Sequence, residues 1–182
     1  YTKRKMLARL EAEAGGSAVI SSNTSGLSIA QLIEGRRTDF SRRFLGVHFF
    51  NPPRQMRLVE VIPTPTTDSA VVKQVADFLQ EGLGKGVVFA RDTPNFIANR
   101  LGIFAILSML HIAEREGLSV PLVDALSGPL MGRPKSATLR LCDIIGLDTL
   151  ARVSQTAYDG LFDDPWRAVF ALPRCIERML DA

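Results

Sequence analysis

The stretch that decides the fold is Gly46-Val47-His48-Phe49-Phe50, followed by Asn51-Pro52-Pro53 and then by Leu58-Val59-Glu60-Val61-Ile62. Each apolar run is short, rich in β-branched or aromatic residues and bounded by ladder-breaking residues, which predicts two strands. Asn51-Pro52-Pro53 continues neither, because proline donates no backbone hydrogen bond, and Pro63-Thr64-Pro65 ends the second. Upstream, Ala18-Val19-Ile20 predicts a short buried strand. The polar loop Ser22-Asn23-Thr24-Ser25-Gly26 then leads into a short helix carrying Leu27, Ile29, Leu32 and Ile33. A strand, a polar loop and a helix in that order is where α/β folds place ligands.

Working outward, residues 3–14 set Met6, Leu7 and Leu10 at helical spacing before a Gly15-Gly16 stop. A helix from about 68 to 83 carries Val71, Val72, Val75, Phe78 and Leu79, with Gly84 as its cap, and Val87–Ala90 is a further strand. This order fits the C-terminal part of a Rossmann-like doubly wound sheet. At Asp92-Thr93-Pro94-Asn95 the texture changes and no strand returns. Helices are expected over 95–117, 121–128, 136–145, 148–158 and 165–180, broken at Gly117, Gly132-Arg133-Pro134, Gly146 and Gly160. The expected fold class is α/β plus all-α, with one domain over 1–92 and a helical one over 93–182.

Composition narrows the function classes. The 22 Lys and Arg against 19 Asp and Glu leave a net charge of +3, too balanced for a module that binds nucleic acid by neutralising phosphates. Hydrophobic residues at 46% and charged residues at 23% suit a chain with a packed core. Cys142 and Cys175 are too few for a disulfide scaffold or a four-ligand zinc site, so a reducing cytoplasm is the expected compartment and no metal is expected. Leu101–Ala113, fenced by Arg100 and Glu114, falls short of the roughly 20 residues a membrane span requires and is expected to be a buried helix. The opening Tyr1-Thr2-Lys3-Arg4-Lys5 has no secretory signal, and the chain is expected to be a fragment.

Chemistry concentrates on few residues. His48 stands among apolar neighbours, and Glu60 lies 12 positions on, flanked by Val59 and Val61. If the two strands are adjacent, the pair meets in an apolar setting where a carboxylate requires a partner and orients an imidazole suited to proton transfer. A core histidine is the alternative. Asn51 can present an amide from the strand end or simply initiate the turn before Pro52. Ser22, Asn23, Thr24 and Ser25 offer small hydrogen-bonding groups, although one or two of them can be helix caps. Asn99-Arg100 interrupts an apolar helix and requires a partner. His111, without an acidic residue on its face, reads as a core histidine. The cluster Arg36, Arg37, Arg42 and Arg43 reads as a solvated loop.

Taken together, Ser22-Asn23-Thr24-Ser25, His48-Phe49-Phe50-Asn51-Pro52, Leu58-Val59-Glu60, Asp92-Thr93-Pro94 with Phe96, and Asn99-Arg100 resemble the 3-hydroxyacyl-CoA dehydrogenase family in order and spacing. Met131-Gly132 and Asp143–Asp148 are similar to its helical C-terminal domain, and Tyr158-Asp159-Gly160 with Asp163-Asp164-Pro165-Trp166 to its longer bacterial forms fused to an enoyl-CoA hydratase. The resemblance implies NAD-dependent oxidation of an (S)-3-hydroxyacyl-CoA to the 3-ketoacyl-CoA in fatty-acid β-oxidation. By matched position, His48 is the base, Glu60 orients it, and Ser25 and Asn99 hold the substrate oxygen. Asn51 and Ser25 border the nicotinamide, and Lys3 lies near the cofactor. A homodimer through the helical domain is expected.

Three departures from the family pattern stand out. The Gly-x-Gly-x-x-Gly fingerprint and its acidic partner do not occur in this chain, which alone is expected to bind NAD poorly. Asn95 replaces the usual Gly after Asp-Thr-Pro, and Arg133-Pro134-Lys135 replaces the usual Gly-Pro. Asn tolerates positive φ. The competing reading is a non-catalytic dimerisation or scaffold module of a multifunctional enzyme.

Overall fold

The computed structural model describes residues 2–181, and the chain divides into two compact units between Ile97 and Ala98. The first unit opens with α1 (Thr2–Glu13), β1 (Ile20–Ser22), α2 (Ile29–Leu32) and α3 (Thr38–Arg42). It continues with β2 (Phe44–Phe49), β3 (Leu58–Pro63), α4 (Ser69–Asp77) and β4 (Gly86–Phe89). The four strands form one sheet in the order β1-β2-β3-β4. β1 runs parallel to β2 and β3 parallel to β4, whereas β2 and β3 are antiparallel. That single reversal follows from chain length, because the loop over 50–57 is shorter than the dozen or so residues a parallel crossover requires.

Strand alternation sorts the side chains onto two faces. Phe44 and Ile62 pack on one face with Leu7, Ile20, Ile29, Leu32 and Phe40. Leu45, Val47, Val59 and Val61 pack on the other with Leu79, flanked by Val71, Val72 and Val75 of α4. His48 and Glu60 stand two residues from Gly46 and Ile62 and so share the first face. Gly46 lets α2 settle there: a Cβ on it would lie 2.9 Å from Ile29 Cδ1 and 3.1 Å from Ile62 Cβ.

Two local departures have physical causes. β1 begins at Ile20 rather than Ala18 because its register is set by pairing with β2, Ile20 opposite Phe44 and Ser22 opposite Gly46. In the arginine cluster Arg37 and Arg42 are exposed as expected while Arg36 and Arg43 are largely covered, and α3 forms within it around the buried Phe40. Arg36 pairs with Glu11 at 3.2 Å and Arg42 with Asp68 at 2.9 Å, while Arg43 donates to the carbonyls of Asp39, Gly15 and Ala18. The Arg37 backbone N–H and the Arg36 guanidinium hold the Glu11 carboxyl below its ordinary value.

The second unit is helical among its described residues: α5 (Ala98–Arg115), α6 (Val120–Ser127), α7 (Leu139–Ile145), α8 (Leu147–Gly160) and α9 (Arg174–Leu180). Its core joins Leu107 and Leu110 of α5 to Leu150 and Ala157 of α8, Phe170 and Ile176. Each fully buried leucine contributes about 1.5–3 kcal/mol. α5 starts at Ala98 rather than 95 because Asn95 and Phe96 adopt left-handed φ of 62° and 49°. The helix expected over 165–180 is broken, with a 3-10 turn at Arg167–Phe170 and a new start after Pro173. Asp124 accepts from the backbone N–H groups of Thr138, Leu139 and Arg140 and so caps α7. His111 is structural: its Nε2 lies 3.1 and 3.0 Å from the Val169 and Ala171 carbonyls, both acceptors, so that nitrogen carries the proton. No described helix is long and apolar enough to cross a membrane.

Candidate active site

β2 and β3 set His48 directly opposite Glu60 in the ladder. On one face of an antiparallel pair such neighbours are in contact, and His48 Nδ1 lies 2.6 Å from Glu60 Oε2. Both side chains are buried, Glu60 completely. A buried carboxylate is tolerated only when hydrogen-bonded, and the second oxygen, Oε1, accepts from the Ile97 backbone N–H at 2.9 Å. The Phe50 and Phe96 rings pack edge-on against the imidazole at 4.5 and 5.6 Å, which holds its plane.

The other imidazole nitrogen faces the loop after β1. His48 Nε2 lies 3.0 Å from Ser25 Oγ, and Ser25 is exposed. With Glu60 ionised, the carboxylate accepts a hydrogen bond from Nδ1–H and Nε2 presents its lone pair to the Ser25 hydroxyl, the tautomer a base requires. The loop is fixed at both ends. Asn23 Oδ1 accepts from the Phe49 N–H at 2.8 Å. At the far end Asp92 accepts from Ser28 Oγ and from the N–H groups of Ile29 and Ala30, at 2.8–2.9 Å. Ser28 is the cap of α2, its Oγ accepting from the Gln31 N–H.

Ser25, His48 and Glu60 are thus brought into one line. Asn51 lies two residues after the end of β2, is exposed and precedes a cis peptide bond to Pro52. Lys3 lies exposed on α1, beside a surface pocket it shares with Leu27, Ser28 and Gln31. Asn99 belongs to α5 of the second unit. The Asp92 cap, the Ile97 N–H and the loop anchor at Asn23 were not assigned roles from sequence; backbone donors leave no residue signature. Both cysteine thiols are held above their ordinary value. Burial, then the neighbouring Asp143 and Asp124 carboxylates, push the Cys142 thiol up to about 11, and burial with Glu114 raises Cys175. No cluster of metal-ligating side chains occurs among the described residues.

The fold and the site define a class: an α/β sheet unit holding an oriented imidazole at a strand end, followed in the chain by a helical unit. The chain belongs to the 3-hydroxyacyl-CoA dehydrogenase family. Residues 1–93 match the family's NAD binding domain and residues 96–182 its C-terminal domain. A probable 3-hydroxyacyl-CoA dehydrogenase of Bacillus subtilis (strain 168) is 45% identical over 98% of this chain and 23% of its own length. One of Deinococcus radiodurans is 47% identical over 84% of this chain and 44% of its own length. The chain therefore spans less than half the length of these relatives. The crystal structure of (S)-3-hydroxybutyryl-CoA dehydrogenase from Ralstonia eutropha matches with a TM-score of 0.85 and 30% identity, covering 99% of this chain and 61% of that one.

Proposed function

We propose that the protein containing this chain oxidises an (S)-3-hydroxyacyl-CoA to the 3-ketoacyl-CoA with NAD, and that Ser25, His48 and Glu60 handle the proton. The observation that carries this reading is the line of contacts Ser25 Oγ, His48 Nε2, His48 Nδ1 and Glu60 Oε2, at 3.0 and 2.6 Å.

In the oxidation direction, His48 Nε2 accepts the proton of the 3-hydroxyl. The imidazolium that forms is stabilised by the Glu60 carboxylate, which keeps its own charge, the logic of an oriented base. Ser25, within hydrogen-bond distance of the same nitrogen, holds the substrate oxygen, so that developing negative charge meets a fixed donor; the same task for Asn99 rests on matched position in the family alone. Phe50 and Phe96 keep water from the imidazole. A bound NAD would supply the acceptor for the hydride that leaves carbon 3. The residues present fit that cofactor at its nicotinamide end: Ser25 and Asn51 are exposed polar groups beside the carboxyl ends of adjacent strands, the edge at which such sheets bind ligands, and Lys3 adds a cation on α1.

The reaction belongs to fatty-acid β-oxidation in this reading. A homodimer through the helical unit, a fused enoyl-CoA hydratase and a cytoplasmic site complete it, with 1–92 contributing the cofactor side and 93–182 the helical domain. The test is NADH formation by the full-length protein from the (S) and (R) isomers of 3-hydroxybutyryl-CoA. Turnover of the (S) isomer supports the reading. Silence with both isomers overturns it in favour of a scaffold.

A further inference from the structure

The Asp92–Ile97 segment touches the proposed site at both of its ends. Asp92 accepts three hydrogen bonds from the end of the Ser25 loop, from Ser28 Oγ and the N–H groups of Ile29 and Ala30. Five residues on, the Ile97 N–H binds the Glu60 oxygen that His48 does not use. Between them Phe96 lays its ring edge against the imidazole. The segment reaches both ends only by taking left-handed φ at two consecutive non-glycine residues, Asn95 and Phe96. Such backbone persists where its surroundings hold it in place.

We infer that Asp92 is a positioning residue for the reaction, acting through Ser25. The inference rests on the function proposed above for Ser25 and His48. The loop that carries Ser25 runs from Ser22 to Ser28, and Ser25, Gly26 and Leu27 within it are exposed. Thr24 beside them is buried whereas these three lie exposed, so the hydroxyl is placed by the contacts on either side. The first anchor is the β1 ladder with Asn23 on the Phe49 N–H. The second is Asp92, whose two oxygens take one hydroxyl and two backbone donors in a fork that neither Asn nor Ser reproduces. Loss of that fork frees the loop end and lets Ser25 move relative to His48 Nε2. A misplacement of about 1 Å at a reacting group costs on the order of 100-fold in rate. Burial of Ile29 beneath Gly46 keeps the start of α2 on the sheet, so the loop loosens without unfolding the unit.

The experiment is a double-mutant cycle in the full-length dehydrogenase, with acetoacetyl-CoA and NADH as substrates. The four proteins are wild type, Asp92→Ala, Ser25→Ala and the double variant. Asp92→Ala is expected to lower kcat by about 10- to 100-fold. In the Ser25→Ala background the same change is expected to cost less than twofold, because the group it positions has gone. An equal loss in both backgrounds overturns the inference, since a merely structural role acts whether or not Ser25 is present. An unchanged kcat in Asp92→Ala overturns it as well. Ser25→Ala with wild-type kcat is a separate outcome, which removes Ser25 from the proposed function and the inference with it. Should Asp92→Ala fail to fold, Asp92→Asn carries the cycle. It retains one acceptor oxygen, and its expected loss is smaller and likewise confined to the Ser25 background.

Discussion

Replacing Glu60 with Gln changes one atom and tests the electrostatics of the pair directly. The donors on this carboxylate include His48 Nδ1–H at 2.6 Å and the Ile97 N–H at 2.9 Å. A carboxylate accepts from both. A glutamine has one acceptor oxygen and one donor group, so if the oxygen stays on the Ile97 N–H, the amide NH2 faces Nδ1. Nδ1 must then accept and the proton moves to Nε2, which faces Ser25 with a hydrogen instead of a lone pair. A base in the wrong tautomer, with its imidazolium unsupported, costs about 10²–10⁴ in kcat, the contribution of a positioned general base, with a loss near 10⁴ known where the acidic member of a catalytic triad is made an amide. Because the substrate is not touched by Glu60, KM should change little. The assay is steady-state turnover of acetoacetyl-CoA by the full-length protein, paired with ¹⁵N NMR of the histidine ring to read the tautomer. A kcat within threefold of wild type, or a ring still protonated at Nδ1, would refute the reasoning.

Other consequences follow from packing and charge. Gly46→Ala should destabilise the first unit by about 1–3 kcal/mol, the cost of overpacking, because its Cβ meets Ile29 and Ile62 at 2.9–3.1 Å; a denaturation midpoint at or above wild type would contradict this. Asp124→Ala leaves three backbone donors at the start of α7 without their acceptor and should cost about 1–2 kcal/mol by the same measurement. The Cys142 thiol, pushed up to about 11 and buried, should resist alkylation in the folded protein at pH 8 and react at the rate of unfolding. The Trp166 backbone N–H and then Arg100 hold the Asp164 carboxyl below its ordinary value, so its contribution is complete above the unfolded-state value and lost as pH falls through the lowered one. Acid titration of wild type should show loss of stability below about pH 4, reduced in slope by Asp164→Asn.

How much of this was legible in sequence depended on whether a feature has a side-chain signature. The β2–β3 pair was legible because two apolar runs were separated by a proline turn, and alternation then placed His48 and Glu60 on one face. Ser22, Asn23, Thr24 and Ser25 stood out together as a polar strand-to-helix loop, and the family resemblance alone singled out Ser25. α3 was hidden, since its single apolar anchor, Phe40, lies among arginines whose partners, Glu11 and Asp68, are far away in sequence. The break before α9 was hidden within a helical pattern, although Pro173 marked it. The anchoring of the site through the Ile97 N–H left no trace, because any residue but proline supplies that donor. Asp92 was visible as part of a motif, yet its task depends on a contact 62–64 positions away.

The central claim is that His48 is the base, and the most direct measurement separates binding from turnover in His48→Gln. The full-length variant is titrated with acetoacetyl-CoA by calorimetry and then assayed for NADH consumption. The account predicts a Kd within about threefold of wild type together with a kcat lower by about 10²–10⁴. Binding retained with turnover undiminished would contradict it.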